Sequence, residues 1–346
     1  MHDAAESWVV LLPVFNDWEA ARLLIQKLDE VVGAIGLEAE VLIVDDASTK
    51  PPGPWFSDPA LKHLKRVRTL PLRRNLNHQR AITVGLSWIA DHSECTGVVI
   101  MDSDGEDDPE YVPLLIETSR ANGHTAVVFG ARGRRSEAFS FRFFYRLYQA
   151  VHWILTGLRV RVGNFSVLPR QSLLRVVSVS EAWNHYAAAV IKARIENVLV
   201  PVPRAARLAG FSHMNFTSLV VHGLSALSIY SPRVLVRLMV AAGLGALALG
   251  ALALLSLLGP HAGPLEVPAR FLVPVWASFA AAVVSELLLF GFTLSSLASR
   301  HGASFVPHRD YATYLAAGDP AHATEPNATR PSRRVPVLTS DSPAAS

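Results

Sequence analysis

Val99-Ile100-Met101-Asp102-Ser103-Asp104 is an apolar run, typical of a buried strand, that ends in two carboxylates one residue apart. Side chains two positions apart share a face of an extended chain, so Asp102 and Asp104 are predicted to point the same way. Such a pair suits a hard divalent cation, which prefers oxygen ligands and can bridge a diphosphate. Glu106 is a candidate third ligand. An ordinary acidic turn is the alternative, because Asp and Gly are frequent in turns.

Comparable apolar runs lie on either side of this one, and helical stretches separate them. The predicted strands are Trp8–Leu12, Val41–Val44, Val98–Met101 and Ala126–Phe129, and the clearest helices are Trp18–Ile35 and Ala81–Ala90. This alternation predicts an α/β fold with a doubly wound, mostly parallel sheet. Ligands of such sheets bind beyond the carboxyl ends of the strands. The candidate site residues therefore follow each run, at 13–17, 45–48, 102–104 and 130–132.

Several other classes of protein are excluded by what the sequence lacks. The first strand is not followed by a GxGxxG motif, and no GxxxxGK[ST] motif occurs, which argues against dinucleotide-binding dehydrogenases and P-loop enzymes. The formal net charge is only +3, and no basic stripe with interleaved aromatic side chains indicates a nucleic-acid partner. Cys95 is the only cysteine, so no internal disulfide forms and a reducing compartment is expected.

The last third of the chain is predicted to form a transmembrane hairpin. The run 238–258 has no charge and 271–297 has one, Glu286, and each is long enough to cross a bilayer. Apolar residues at helical spacing in 139–155 and 216–230 predict interfacial helices. Arginines flank both spans, which places both flanks in the cytosol. Glu286 is expected to contact another helix, within the chain or in a homo-oligomer.

The two ends of the chain are expected to be cytosolic as well. Met1 to Ser7 carries two acids and no basic residue, and the apolar run after it is too short for a signal peptide. From Ala317 onward Pro, Ser, Thr and Ala dominate, which predicts disorder. The predicted divisions are 1–135 and 136–231 for the two halves of the α/β domain, 232–300 for the membrane hairpin and 301–346 for the largely disordered tail.

Three motifs occur in the order typical of family 2 glycosyltransferases, and the chain resembles that family over about residues 8 to 300. They are Leu12-Pro13-Val14-Phe15-Asn16-Asp17, Val44-Asp45-Asp46-Ala47-Ser48 and Asp102-Ser103-Asp104-Gly105-Glu106-Asp107-Asp108-Pro109-Glu110. The chain is similar to the polyprenyl-phosphate group, including dolichyl-phosphate mannosyltransferase and bactoprenol glucosyltransferase, which joins a GT-A domain to C-terminal membrane helices. The resemblance implies a UDP- or GDP-linked sugar donor, a polyprenyl-phosphate acceptor, Mg²⁺ or Mn²⁺, an inverting transfer, and a site on the cytosolic face of the cytoplasmic membrane.

Position by position, the resemblance implies roles for individual residues. The nucleotide pocket would be lined by Pro13, Phe15, Asp17, Val44, Asp46, Ser103, Arg207 and His213. Asp102, Asp104 and Glu106 would surround the metal and the diphosphate, and Arg132 would face phosphate, completing a catalytic set with Asp102 and Asp104. The acceptor phosphate would meet Arg134, Arg135 and Arg142, although attraction to lipid headgroups explains the last two of these arginines equally well.

Several positions depart from the family pattern. Phe15 replaces Tyr, Asp17 replaces Glu, Glu106 replaces Gln, and His213 replaces Lys. Asn164 and Ser166 stand where relatives often have an acid and an arginine, which bears on the acceptor.

A phosphate acceptor is already anionic, so its oxygen can attack the sugar without a protein base, which explains the lack of an obvious catalytic dyad. Other readings remain open. A processive polysaccharide synthase needs a Gln-x-x-Arg-Trp signature, whereas Gln171 is followed by Leu174 and Arg175. A glycosyltransferase for another lipid or polysaccharide acceptor is a second alternative. A membrane scaffold with a decayed sugar site is a third, opposed by the intact Asp46, Asp102 and Asp104.

Overall fold

The computed structural model describes residues 6–132, 149–157, 162–210, 224–258, 269–301 and 305–316. Within them, seven strands form one mixed sheet in the order β3-β2-β1-β4-β6-β5-β7. The strands are β1 (Ser7–Val14), β2 (Glu38–Asp45), β3 (Val67–Pro71), β4 (Gly97–Ile100), β5 (Val127–Arg132), β6 (Val162–Pro169) and β7 (Asn197–Val202). The helices of the domain are α1 (Trp18–Ala34), α2 (His78–His92), α3 (Val112–Ala121), α4 (Arg170–Val176) and α5 (Tyr186–Lys192). The predicted α/β class is confirmed.

The strand pairing is parallel except at β6. The parallel pairs are β1 with β2 and β4, β2 with β3, and β5 with β7, whereas β6 runs antiparallel between β4 and β5. The four predicted strands are present, and β3, β6 and β7 were not predicted. β3 and β7 are edge strands with one fully buried residue each, and the short apolar run of β7 contains Pro201, which argues against a strand in a sequence pattern. β6 carries Gly163, Asn164 and Ser166, which interrupt its apolar run.

Side chains of β1 alternate between two apolar cores. Val9 and Leu11 pack on the α2 side of the sheet, whereas Val10 and Leu12 pack on the α1 side. Almost every residue of α2 after its first turn is buried, and the helix begins at His78, three residues before the predicted start. Helices on both faces leave the carboxyl ends of β1, β2 and β4 together at one edge of the sheet, where the candidate residues lie.

Two long apolar helices follow the domain, α6 (Ser231–Leu258) and α7 (Ala269–His301). They contact each other, and many large apolar side chains on their surface remain exposed, including Leu244, Leu247 and Phe279. Glu286 is exposed on α7. Over the described parts of the chain, no helix meets the combined requirement of length and apolarity for a membrane crossing. The predicted spans at 238–258 and 271–297 are thus not confirmed.

Residues 305–316 return to the α/β domain as a strap, which includes the short helix α8 (Pro307–Asp310). Leu315 forms an antiparallel bridge with Leu72 directly after β3, and Tyr311 is buried, its hydroxyl donating to Asp91 Oδ2 at 2.8 Å. The sequence had assigned this strap to the tail. The predicted disorder from Ala317 onward lies outside the described residues, as do parts of both predicted interfacial helices.

Candidate active site

The ends of β1 and β2 are joined by a set of hydrogen bonds centred on Asn16. Its side-chain Oδ1 accepts from the backbone N–H groups of Thr49 and Lys50 at 2.8 and 2.9 Å, and its own N–H donates to Ser48 Oγ at 2.9 Å. Asn16 has φ +58°, a conformation that Asn tolerates better than most residues. These contacts fix the loop after β2 against the loop after β1, which holds Asp45 and its neighbours at the edge of the sheet.

Asp46 is the buried acid of this loop. Its side-chain Oδ1 accepts from the backbone N–H of Leu76 at 2.6 Å, and only 3% of the residue is exposed. Burial, which penalises the charged form, raises the pKa of Asp46 to about 6, although the backbone N–H groups of Leu76 and Asn77 partly oppose this shift. A ligand that donates a further hydrogen bond would favour the ionised carboxylate.

The loop after β4 is folded tightly around its own acids. The backbone N–H of Asp102 donates to Asp107 Oδ2 at 3.0 Å, and the N–H of Glu106 donates to Asp104 Oδ1 at 3.0 Å. Between them Gly105 has φ +82°, in the left-handed region that favours glycine. Asp107, which the sequence reading passed over, is buried and orients Asp102.

Arg207 connects this loop to the loop after β1. Its Nη1 donates to Asp104 Oδ2 at 3.0 Å and its Nη2 pairs with Asp17. In parallel, Arg204 pairs with Glu106, and two backbone bonds, Leu208 N–H to Asp104 O at 2.9 Å and Ala205 N–H to Glu106 O at 3.0 Å, bind the same segment. The side chains of Asp17, Asp104 and Arg207 are each less than a fifth exposed. Three separate parts of the chain therefore meet at one half-buried cluster of charge.

His78, at the start of α2, is a site residue that the sequence reading missed. Its Nε2 lies 3.0 Å from Asp102 Oδ1. Partial removal from water disfavours the charged imidazole, whose side chain is still 40% exposed, but Asp102, Asp107 and Asp104 outweigh that effect and raise the pKa of His78. The sequence carries only a weak signal for this role. His78 reaches the carboxyl edge because it follows β3, and β3 was not predicted.

The remaining predicted residues are placed as follows. Pro13 and Val44 are buried partners in the β1–β2 register, Ser103 is buried, and Phe15 is exposed. Arg132 ends β5 opposite Val202. His213, Arg134, Arg135 and Arg142 lie outside the described residues.

Within the described part of the chain, no group of three or more His, Cys, Asp or Glu side chains could hold a metal ion by itself. Mg²⁺ is usually bound by one or two carboxylates together with substrate phosphates and water, and Asp102 and Asp104 fit that pattern. Glu106 is paired with Arg204, so its role as third ligand stays a prediction.

Residues 9–177 match the family described as Glycosyl transferase family 2. The matched segment contains the ends of β1, β2 and β4 and all the acids of the candidate site. The chain carries a family 2 glycosyltransferase domain. Arg204 and Arg207 lie beyond the matched segment of this glycosyltransferase domain, although the fold brings them to its acids.

Relatives of the glycosyltransferase domain include an undecaprenyl-phosphate 4-deoxy-4-formamido-L-arabinose transferase of Pseudomonas fluorescens (strain SBW25). It is 27% identical over 132 residues, which are 38% of this chain and 37% of that protein. An uncharacterized glycosyltransferase of Bacillus subtilis (strain 168) is 26% identical over 212 residues, which are 58% of this chain and 61% of that protein. Each match therefore covers less than two thirds of the relative.

A solved structure of glucosyl-3-phosphoglycerate synthase from Mycobacterium tuberculosis in complex with uridine-diphosphate also resembles the chain. The TM-score is 0.47 at 16% identity, over 66% of this chain and 80% of that chain. A likeness this distant carries no argument about the substrate.

Proposed function

We propose that the protein transfers one sugar from a nucleotide-sugar to a polyprenyl phosphate, with inversion, at the cytosolic face of the membrane. The observation that carries the proposal is the meeting of Asp17, Asp104 and Arg207 beside Asp102 at the carboxyl edge of the sheet. Carboxylates can bind a divalent cation and an arginine can bind phosphate, so their meeting at one point suits a nucleoside diphosphate. The names of its undecaprenyl-phosphate relatives support the acceptor.

The transfer follows from the charges of the two partners. An oxygen of the acceptor phosphate attacks the anomeric carbon, and the bond from that carbon to the β-phosphate oxygen breaks, so the donor leaves as a nucleoside diphosphate. The acceptor oxygen is already anionic, so no protein base has to remove a proton. Asp102 and Asp104 would hold a divalent cation, which would neutralise charge on the leaving diphosphate. Arg207 binds and orients that diphosphate.

Donor recognition is assigned to the loop after β2. Asp46 is buried and already accepts one backbone hydrogen bond, and a base N–H or a ribose hydroxyl is a suitable second donor. Pro13, Phe15 and Ser103 complete this pocket. Which sugar is accepted depends on the geometry of these loops.

Membrane attachment is the second part of the proposal. Exposed apolar side chains of α6 and α7, and the exposed Trp153 and Ile154 on the helical residues 149–156, support a bilayer location. The arginines that flank both helices support a cytosolic position for both termini. The return of residues 305–316 to the domain supports placing the far end of α7 on the same side as the domain. Exposed Glu286 on an apolar helix is compatible with a homo-oligomer contact.

The decisive experiment is a transfer assay with the full chain in detergent. Labelled sugars from a panel of UDP- and GDP-sugars are offered with undecaprenyl phosphate and Mg²⁺ or Mn²⁺. We expect a labelled lipid that requires both metal and Asp104, lost in Asp104→Ala and retained in Glu110→Ala, an exposed acid of the same loop. Metal-dependent nucleotide-sugar binding without lipid product would point to another acceptor, and no binding at all would favour a scaffold.

The topology has its own test. Cys95 is the only native cysteine and is buried, so cysteines introduced as Gly263→Cys and Ser340→Cys report selectively. A membrane-impermeant maleimide should label the first position in intact cells and the second only after lysis. Labelling of both positions from one side would refute the crossing.

A further inference from the structure

We infer that His78, with Asn164 and Gln79, positions Asp102 for cation binding; the inference rests on the proposed function and adds residues to it. His78 Nε2 lies 3.0 Å from Asp102 Oδ1, and Asn164 Nδ2 lies 3.4 Å from the same oxygen and 2.9 Å from His78 Nε2. An ionised carboxylate can only accept hydrogen bonds. The imidazole Nε2–H and the Asn164 amide therefore both face one carboxylate oxygen as donors, and their own contact at 2.9 Å is not a hydrogen bond, because neither nitrogen then accepts.

The orientation of the Asn164 amide is dictated by a chain of hydrogen bonds from the backbone. The N–H of Tyr186, at the start of α5, can only donate, and it donates to Gln79 Oε1 at 2.8 Å. Gln79 must then present its Nε2 to Asn164 Oδ1, at 2.9 Å. Asn164 in turn must present its Nδ2 to Asp102, beside the Nε2 of His78. Reversing Gln79 would set its Nε2 against the Tyr186 N–H, and reversing Asn164 would set its Nδ2 against Gln79 Nε2.

Burial makes this arrangement rigid at one end and open at the other. Gln79, Asn164 and Tyr186 are buried, so an unmade hydrogen bond among them would not be replaced by water. The side chain of His78 is 40% exposed, which places it at the mouth of the site. These hydrogen bonds thus connect β6, α2 and α5 to a single oxygen of Asp102.

Groups that orient a metal ligand usually change metal affinity when they are removed, typically by 10- to 100-fold. His78→Ala should accordingly weaken Mn²⁺ binding by about 10-fold, whereas His78→Gln keeps an N–H donor and should retain most of the affinity. Gln79→Met, which cannot direct the Asn164 amide, should produce a smaller loss in the same direction. His92→Ala, at the exposed far end of α2, is the matched control and should bind Mn²⁺ like the wild type.

The measurement is Mn²⁺ titration of the full chain by electron paramagnetic resonance, with saturating UDP or GDP. Nucleotide affinity in EDTA and the melting temperature are recorded in parallel, and both should stay near wild-type values in His78→Ala. Equal Mn²⁺ affinity of His78→Ala and wild type would overturn the inference, as would a parallel loss of metal-free nucleotide binding. A wild-type protein that binds no Mn²⁺ with either nucleotide would instead overturn the metal-dependent proposed function.

Discussion

Two acidic loops flank β1 at the carboxyl edge of the sheet, and they are held in opposite ways. In the loop after β2, Asp46 is buried and bound by a backbone N–H, a partner that cannot move away. In the loop after β4, Asp104 and Glu106 are paired with Arg207 and Arg204, long side chains from a distant segment. The partner of Asp46 is therefore fixed. In the proposed reaction, by contrast, a metal ion replaces Arg207 as the partner of Asp104, and a diphosphate replaces the acids as the partner of Arg207.

The largest effect should come from neutralising the second loop. Asp102→Asn and Asp104→Asn keep side-chain shape but remove the carboxylates that hold the cation, so transfer should fall by at least about 10³-fold in kcat/KM. Asp46→Asn, the same change in the first loop, should cost far less because the contact proposed for Asp46 is with the nucleoside and not with the metal or the diphosphate. Equal losses of kcat/KM in all three variants, measured by steady-state kinetics, would contradict the difference between the two loops.

Asp46→Asn should next alter how stability depends on pH. The folded pKa of Asp46, about 6, lies above its ordinary value of 3.8, so the unfolded chain ionises first. The contribution of Asp46 to stability is therefore fully present below pH 4 and is lost as pH rises from about 4 to 6, by up to roughly 3 kcal/mol. Asp46→Asn should remove this slope in urea titrations at pH 4, 5, 6 and 7. An unchanged slope would show that Asp46 ionises freely in the folded protein.

Arg207→Gln should sharpen the contrast between fixed and exchangeable partners. Loss of the phosphate contact should raise the KM for the donor by about 10-fold, the scale of one charge-assisted hydrogen bond. Since Arg207 then no longer competes for Asp104, Mn²⁺ affinity without nucleotide should increase. Steady-state kinetics would measure the KM for the donor, and calorimetry would measure the Mn²⁺ affinity. Arg22→Gln, which removes a surface pair with Glu19, is the control. A fall in metal affinity would contradict the counterion role.

The smallest effect concerns the backbone that brings the second loop and its arginines together. Gly105→Ala must adopt φ +82° and would place its Cβ 2.4 Å from Leu208 Cγ, whereas Gly123→Ala has φ +61° and open space around it. Both should lose about 1 kcal/mol of unfolding free energy to the left-handed backbone. Only Gly105→Ala should also raise the KM for the donor. Identical behaviour of the two variants would show that the Leu208 contact is dispensable.

Much of the domain could be predicted because its central strands are continuous apolar runs. β1, β2, β4 and β5 were found for that reason, and the acids that follow three of them were named correctly as lying at one edge. β3 was missed because its buried side is a single residue, Leu70. β6 was missed because it carries polar residues, which become buried only between β4 and β5. The strap at 305–316 has no periodic signal of its own.

By itself, the sequence determined the α/β class, the carboxylates at the strand ends and the apolar character of the last third, because strand and helix periodicity are local properties. Only the tertiary structure decided which acids are paired with which cations. His78 lies 24 residues from Asp102, and Arg207 lies 103 residues from Asp104. No local pattern encodes such distances, since they depend on strand order and on the packing of α2 and of the segment after β7. The sequence shows that both loops are acidic. Only the fold shows that Asp46 is bound by a backbone N–H and that Asp104 and Glu106 are paired with arginines.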